Sequence, residues 1–302
     1  MNITEAMQFG AKELNAARVE NARFEADCLL GFGLGIARDR LYLDRERQLN
    51  SGDEERYRVL IKRRAAREPL QYILGHQEFM GLDFYVDPRV LIPRPDSEIL
   101  VEKFLELVRA SCLGSTRRKS HFRVSPRGVS LHRRLTFRTS IKVLDLCTGS
   151  GALAIAVAHF LPTAYVVGTD ISAGALAVAG RNAANLKVGV EWRQGDFLGP
   201  AEGEYWDWII CNPPYVSRSD YEKCAPEVHH EPVQALVGGM DGLDYYRRLA
   251  AGVRPLLTGR GGVLTEIGWD QADRVQELFQ QQGFTTTLFV DTGGRDRVVW
   301  AR

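Results

Sequence analysis

From residue 143 to residue 300 short runs rich in β-branched and aromatic residues alternate with apolar helical stretches, and this alternation restricts the fold more than any other feature. Strand-like runs fall at 143–146, 164–168, 188–192, 206–211, 262–267, 284–290 and 298–300, with helical stretches at 152–160, 174–184, 243–255 and 270–282. Parallel strands need a crossover between them, usually a helix, so the pattern predicts an α/β fold with a doubly wound, mostly parallel seven-stranded sheet. Ligands of such sheets bind beyond the carboxyl ends of the strands. The chemistry is therefore expected in four stretches: Cys147-Thr148-Gly149-Ser150-Gly151, Thr169-Asp170, Gly195-Asp196-Phe197 and Asn212-Pro213-Pro214-Tyr215.

The last of these is the most unusual. Pro213 and Pro214 have no backbone N–H and a fixed φ, and each presses the residue before it toward an extended conformation. The result is a stiff corner carrying two accepting oxygens, the Asn212 side chain and the Pro213 carbonyl, beside the Tyr215 ring. Such a corner suits a planar –NH2 held by both its hydrogens.

The other three stretches suit a nucleoside with a positive end. Gly149-Ser150-Gly151-Ala152-Leu153-Ala154, with Asp170 following 19 residues after Gly151, satisfies the loose dinucleotide pattern G-x-G-x-x-G/A. That pattern also fits any nucleoside site needing close backbone approach at Gly149 and Gly151 and an acid, Asp170, for a ribose diol. Asp145 at the end of the first strand organises the turn or approaches a cationic ligand, and Thr148 lies within that turn. Asp196 and Phe197 suit an adenine amino group and ring face. A pyrophosphate would meet an unfavourable concentration of carboxylates here, whereas S-adenosylmethionine would not. A nicotinamide oxidoreductase is the weaker alternative, and the absence of G-x-x-x-x-G-K-[ST] disfavours a phosphate-binding-loop nucleotidase.

The remaining chain divides by composition. Residues 1–76 read as a small helical domain, with Ala6, Phe9, Leu14, Phe24, Ala26, Leu29, Leu30 and Leu34 at helix-like intervals and Tyr57, Leu60, Ile61 and Ala65 as a second buried stripe. It contains nothing catalytic and is expected to recognise a macromolecular substrate. Residues 77–108 read as a hairpin followed by a helix, with Arg94 held between Pro93 and Pro95. Residues 109–140 hold nine Lys or Arg and no Asp or Glu, which leaves 30 basic against 38 acidic residues elsewhere. This tract is expected to be a mobile basic insertion with a capacity for RNA contact. Residues 141–302 form the catalytic domain. Cys28, Cys112, Cys147, Cys211 and Cys224 are odd in number and widely spaced, which points to a reducing compartment and to no zinc site. No apolar leader or spanning-length run is visible, so a protein neither secreted nor membrane-embedded is expected, and it is taken as cytoplasmic and as a monomer.

Taken together, Asp145 through Gly151, Asp170, Asp196 and the Asn-Pro-Pro-Tyr corner resemble the class I (Rossmann-like) methyltransferase arrangement. The chain as a whole resembles the HemK/PrmC family, the N5-glutamine methyltransferases of peptide chain release factors. The supporting marks are Leu91-Ile92-Pro93-Arg94-Pro95, His230-Glu231-Pro232, Gly238-Gly239-Met240-Asp241-Gly242-Leu243, Glu266-Ile267-Gly268 and Gly294-Arg295-Asp296-Arg297-Val298. Cys147 stands where the family normally has Gly, and Ser97 where it has Thr. The resemblance implies methyl transfer from S-adenosyl-L-methionine to the Gln of the Gly-Gly-Gln loop in class 1 release factors, with S-adenosyl-L-homocysteine as product and no metal. Asn212, Pro213 and Tyr215 would be catalytic, and Arg94, Pro214 and Glu231 would join them in binding the substrate. Adenine-N6 methylation of DNA or RNA is the alternative for the same corner; against it stands the acidic balance outside residues 109–140.

Overall fold

A computed structural model describes residues 1–113 and 141–302 and divides them into two compact units. The basic tract lies outside the described residues from 114 to 140.

The first unit comprises Met1–His76 and Cys224–His230. Its main helices are Ile3–Ala16, Ala22–Leu34 and Ser51–Ala65. Asn2 caps the first by accepting from the Glu5 amide while Glu5 answers the Asn2 amide, and Asn50 accepts from Asp53 at the start of the third. Ile3, Met7, Leu14, Leu29, Leu30, Tyr57, Leu60 and Ile61 form the core. Phe24 departs from the expected stripe: it is exposed, beneath the Arg38 guanidinium at 4.5 Å, so helical spacing alone assigned it to the wrong face. The buried Arg64 pairs with Glu25 at 2.5 Å and Glu227 at 2.8 Å, and Arg67 reaches Glu227 at 2.7 Å. These ion pairs tie in Cys224–His230, which sequence reasoning had left with the catalytic core.

The second unit, Gln77–Lys223 with Glu231–Arg302, holds the sheet. A hairpin, β1 (His76–Phe79) and β2 (Leu82–Tyr85), leads to the helix Glu98–Leu113. Among the described residues seven further strands follow: β3 (Lys142–Leu146), β4 (Tyr165–Asp170), β5 (Glu191–Gln194), β6 (Trp206–Cys211), β7 (Leu257–Glu266), β8 (Thr286–Val290) and β9 (Asp296–Ala301). Their order is β5-β4-β3-β6-β7-β9-β8, parallel except for β9 against both β7 and β8. The hydrophobic period of two sets the layers. Val143, Trp208 and Ile210 face the helices Glu98–Leu113 and Ala152–Phe160, while Leu144, Ile209 and Cys211 face Asp244–Gly252 and Ala272–Gln281.

The class I architecture with a separate helical segment is as expected, but β5 is displaced. The run at 188–192 does not begin a strand at Val188, because that residue closes the helix Ala173–Leu186. Its N–H reaches the Ala183 carbonyl at 3.1 Å and Lys187 takes a left-handed φ of 56°. The chain runs from β3 outward to β5 and then returns through β6 on the other side of β3, so the loops after β3 and β6 part and open a crevice between them.

Candidate active site

The turn after β3 is built on a buried acid. Asp145 is fully buried; its Oδ2 accepts from Thr148 Oγ1 at 2.5 Å and from the Ala154 N–H at 3.1 Å. Burial pushes its carboxyl up to about 7 despite those two bonds. Asp145 therefore organises the turn from beneath, and neither of the two cavities at the strand ends touches it. Gly151 also lies below the wall: its φ of 82° is left-handed, and a Cβ there would stand 2.9 Å from Ile155 and 3.0 Å from Trp192. Gly149 forms wall, and its N–H donates to Asp170 Oδ2 at 2.9 Å. Cys147 adopts φ 58° and lines both cavities, so the side chain that replaces a glycine is housed at a strained position facing the crevice.

The larger cavity encloses about 660 Å3 of empty space, partly open to solvent, and brings together Cys147, Gly149, Asp170, Asp196, Phe197, Asn212 and Tyr245 among others. Asp170 also accepts from the Ser172 N–H at 2.9 Å, and burial raises its carboxyl above the usual range. The arginine in this lining and the one beside Asp196 are already engaged. Arg89 grips Asp87 at 2.5 Å, and Arg248 pairs with Asp196 at 2.7 Å while lying over Phe197 at 5.0 Å. Acids and aromatic faces with no uncommitted guanidinium among the lining residues suit a cationic nucleoside, not a pyrophosphate. Tyr245 and Arg248 were missed in the sequence. Their signal was an aromatic and a base three residues apart on one helical face, a spacing shared by many surface helices.

The second cavity, about 420 Å3, is lined by Phe79, Leu91, Pro93, Arg94, Ser97, Cys147, Thr148, Gly149 and Asn212, among others. Asn212 thus stands on a wall common to both. Its Nδ2 donates to Ser97 Oγ at 3.1 Å, so Oδ1 is the end of the amide left to accept from a ligand. Pro214 lines the larger cavity, whereas Pro213 is buried and neither it nor Tyr215 is among the residues lining either cavity. The Tyr215 hydroxyl donates to Glu266 Oε1 at 3.2 Å, and its carbonyl accepts from Gln271 Nε2 at 3.0 Å. The glycine-rich stretch packs against this corner: a Cβ on Gly238 would stand 2.3 Å from the Pro214 carbonyl, and one on Gly242 2.3 Å from the Tyr215 carbonyl. Glu231 is buried and away from both cavities, accepting from the Ile92 N–H at 3.0 Å and pairing with Arg94. It fixes the Pro-Arg-Pro segment that forms one side of the second cavity.

Residues 5–75 match the family described as PrmC N-terminal domain, and residues 127–238 the one described as Methyltransferase small domain. The release factor glutamine methyltransferase of Geobacter sulfurreducens is 41% identical over 94% of this chain and 90% of its own length. That of Moorella thermoacetica is 40% identical over 98% of this chain and 97% of its own. Among solved structures, the hMettl16 catalytic domain in complex with MAT2A 3'UTR hairpin 6 superposes with a TM-score of 0.51 at 17% identity, over 80% of this chain and 81% of that one, a likeness of fold.

Proposed function

This chain belongs to the HemK/PrmC family of release factor glutamine methyltransferases, and from that premise we propose how its proline corner carries the reaction. The enzyme methylates the side-chain amide nitrogen of a release-factor glutamine, S-adenosylmethionine supplying when bound an electrophilic methyl group on a sulfonium. Asn212 Oδ1 and the Pro213 carbonyl accept the two N–H bonds of the substrate amide. That grip aims the nitrogen across the wall shared by the two cavities, with Tyr215, held by Glu266 and Gln271, anchoring the corner from behind. An amide nitrogen is a poor nucleophile because its lone pair is delocalised, so positioning, together with stabilisation of the positive charge that develops on nitrogen, is the main device. Asp170 takes the ribose diol, Phe197 and Asp196 the adenine, and the turn 147–151 the remainder of the donor.

The observation that carries this reading is Asn212 on the common wall of two cavities with its Nδ2 already engaged by Ser97. The family resemblance supports the Gly-Gly-Gln loop of class 1 release factors as the segment entering the second cavity. The helical unit recognises the body of the factor. We assign the reaction to the cytoplasm and to a monomer; among the described residues no helix is long and apolar enough to cross a membrane. The relatives, named for glutamine, favour the amide over the adenine alternative. The RNA contact proposed for residues 109–140 would be read as salt-dependent retention on RNA.

The test is transfer of isotope-labelled methyl into purified release factor and nucleic acid, with the modified atom located by mass spectrometry. Asn212→Ala is expected to lower turnover about 10²–10³-fold, the order of one preorganised hydrogen bond, with donor affinity unchanged. Near-normal turnover in that variant would remove Asn212 from the role.

A further inference from the structure

Three stretches far apart in the chain wall the larger cavity: Arg89 to Leu91, the turn after β3 with Cys147 and Gly149, and Ser172 with Ala175 at the start of the helix Ala173–Leu186. One side chain on that helix joins all three. Asn182 is fully buried among Val178, Ala179 and Ala183, where an unbonded amide would be costly. Its Oδ1 accepts from the Tyr85 N–H at 2.8 Å, while Nδ2 donates to the Tyr85 carbonyl at 3.0 Å and to the Ser150 carbonyl at 2.9 Å. The direction of this amide is fixed, since its oxygen meets a group that only donates and its nitrogen two groups that only accept. Toward Tyr85, the last residue of β2, it pairs both backbone groups as a neighbouring strand would. The Tyr85 hydroxyl then donates to Asp87 at 2.8 Å, and Asp87 accepts from the Arg89 N–H at 3.0 Å, so the chain is held from the clamp to the cavity wall. On the other side Ser150 stands between Gly149, which lines both cavities, and Gly151, the cap of the helix Ala152–Phe160.

We propose that Asn182 is a positioning residue for donor binding, a bridge that holds the glycine-rich turn and the segment after β2 at the separation a nucleoside requires. This rests on the larger cavity being the place of S-adenosylmethionine. Asn182 lines neither cavity and acts through Ser150 and Tyr85. Its three bonds go to the donor walls and none to the corner Asn212–Tyr215, so its loss falls on donor affinity and leaves methyl transfer from the bound donor in place.

Asn182→Asp tests this without opening a hole. One carboxyl oxygen still accepts from the Tyr85 N–H, and the other, even when protonated, donates to one carbonyl at most. The bridge between Tyr85 and Ser150 is then broken at unchanged side-chain volume. Affinity for S-adenosylmethionine and for S-adenosylhomocysteine, measured by calorimetry, should fall about tenfold, the order of one buried hydrogen bond. The donor KM should rise by the same factor, while kcat at saturating donor should stay within about twofold of wild type. Asn182→Ala unpairs three buried backbone groups and should weaken the donor further, roughly 10–100-fold; if it does not fold, Asn182→Asp carries the test. Val275→Ala is the stability control. Val275 is fully buried in the core layer on the other face of the sheet from Ala183, so its truncation should lower the melting temperature at least as far as Asn182→Asp with donor affinity unchanged.

This split is the reverse of that expected for Asn212→Ala, which lowers kcat at constant donor affinity. Wild-type donor affinity in Asn182→Asp, with Asp170→Ala weakened, would overturn the proposal. A fall in kcat at unchanged affinity would overturn it as well. So would an equal loss of affinity in Val275→Ala, which would leave Asn182 a contributor to folding alone. If Asp170→Ala and Asn182→Asp both bind donor as wild type does, the fault lies in placing the donor in this cavity, and the proposal falls with that placement.

Discussion

Gly242→Ala separates the placement of the proline corner from the stability of the fold. Gly242 has φ 76°, a left-handed conformation that costs an L-residue roughly 1–2 kcal/mol. Its added Cβ would stand 2.3 Å from the Tyr215 carbonyl oxygen and 2.8 Å from Gln271 Nε2, the group that holds that carbonyl. Relieving a contact that short requires a shift of about 1 Å in a backbone stiffened by two prolines. Misplacement of that size at a positioning site costs about 10²-fold in rate. Gly203→Ala is the control, because Gly203 has φ 81° with nothing within 4 Å of the added Cβ, so it carries the backbone cost alone. Gly203→Ala should lose a few degrees of melting temperature and Gly242→Ala somewhat more, and only Gly242→Ala should lose turnover, with donor affinity by calorimetry within a few-fold of wild type. Equal turnover in the two, measured as labelled methyl incorporated into release factor, would refute the claim that the glycine-rich stretch holds the corner.

Asp170→Ala should weaken donor binding far more than it lowers turnover at saturating donor, and calorimetry showing unchanged affinity would remove Asp170 from the ribose role. Arg64→Ala leaves Glu25 without its buried partner and Glu227 with Arg67 alone, and should destabilise by about 1–3 kcal/mol in urea or thermal unfolding. Asp145 and Glu266 are both pushed up to about 7 by burial, above their ordinary 3.8 and 4.5. Each keeps a proton when folded that the unfolded chain releases, so the stability it contributes is complete below about pH 4 and lost as pH rises toward 7. Asp145→Asn should flatten melting temperature against pH across that window, and an unchanged profile would contradict the buried, neutralised carboxyl.

Much of this molecule was legible in the chain because its signals are local. Strand β6 was bounded correctly at Trp206–Cys211, where an apolar run meets two prolines that cannot continue a strand. The acids Asp170 and Asp196 and the turn Cys147–Gly149 were expected at strand ends, and there they line the crevice. Val188 misled because an apolar residue closing a helix and one opening a strand look alike in sequence. Phe24 misled because helical spacing does not say which neighbour covers a face.

The amino-acid order by itself determined the alternation of strand and helix, the stiffness of Asn212-Pro213-Pro214-Tyr215 and the positions of the acids, since these follow from backbone restriction and hydrophobic period. Only the folded chain decided what lies behind that corner. Ser97, Glu266, Gln271 and Gly242 are 115, 54, 59 and 30 residues from Asn212 in the chain. Hydrogen-bond direction and close backbone contact depend on which groups the sheet brings together, and no period in the sequence records that.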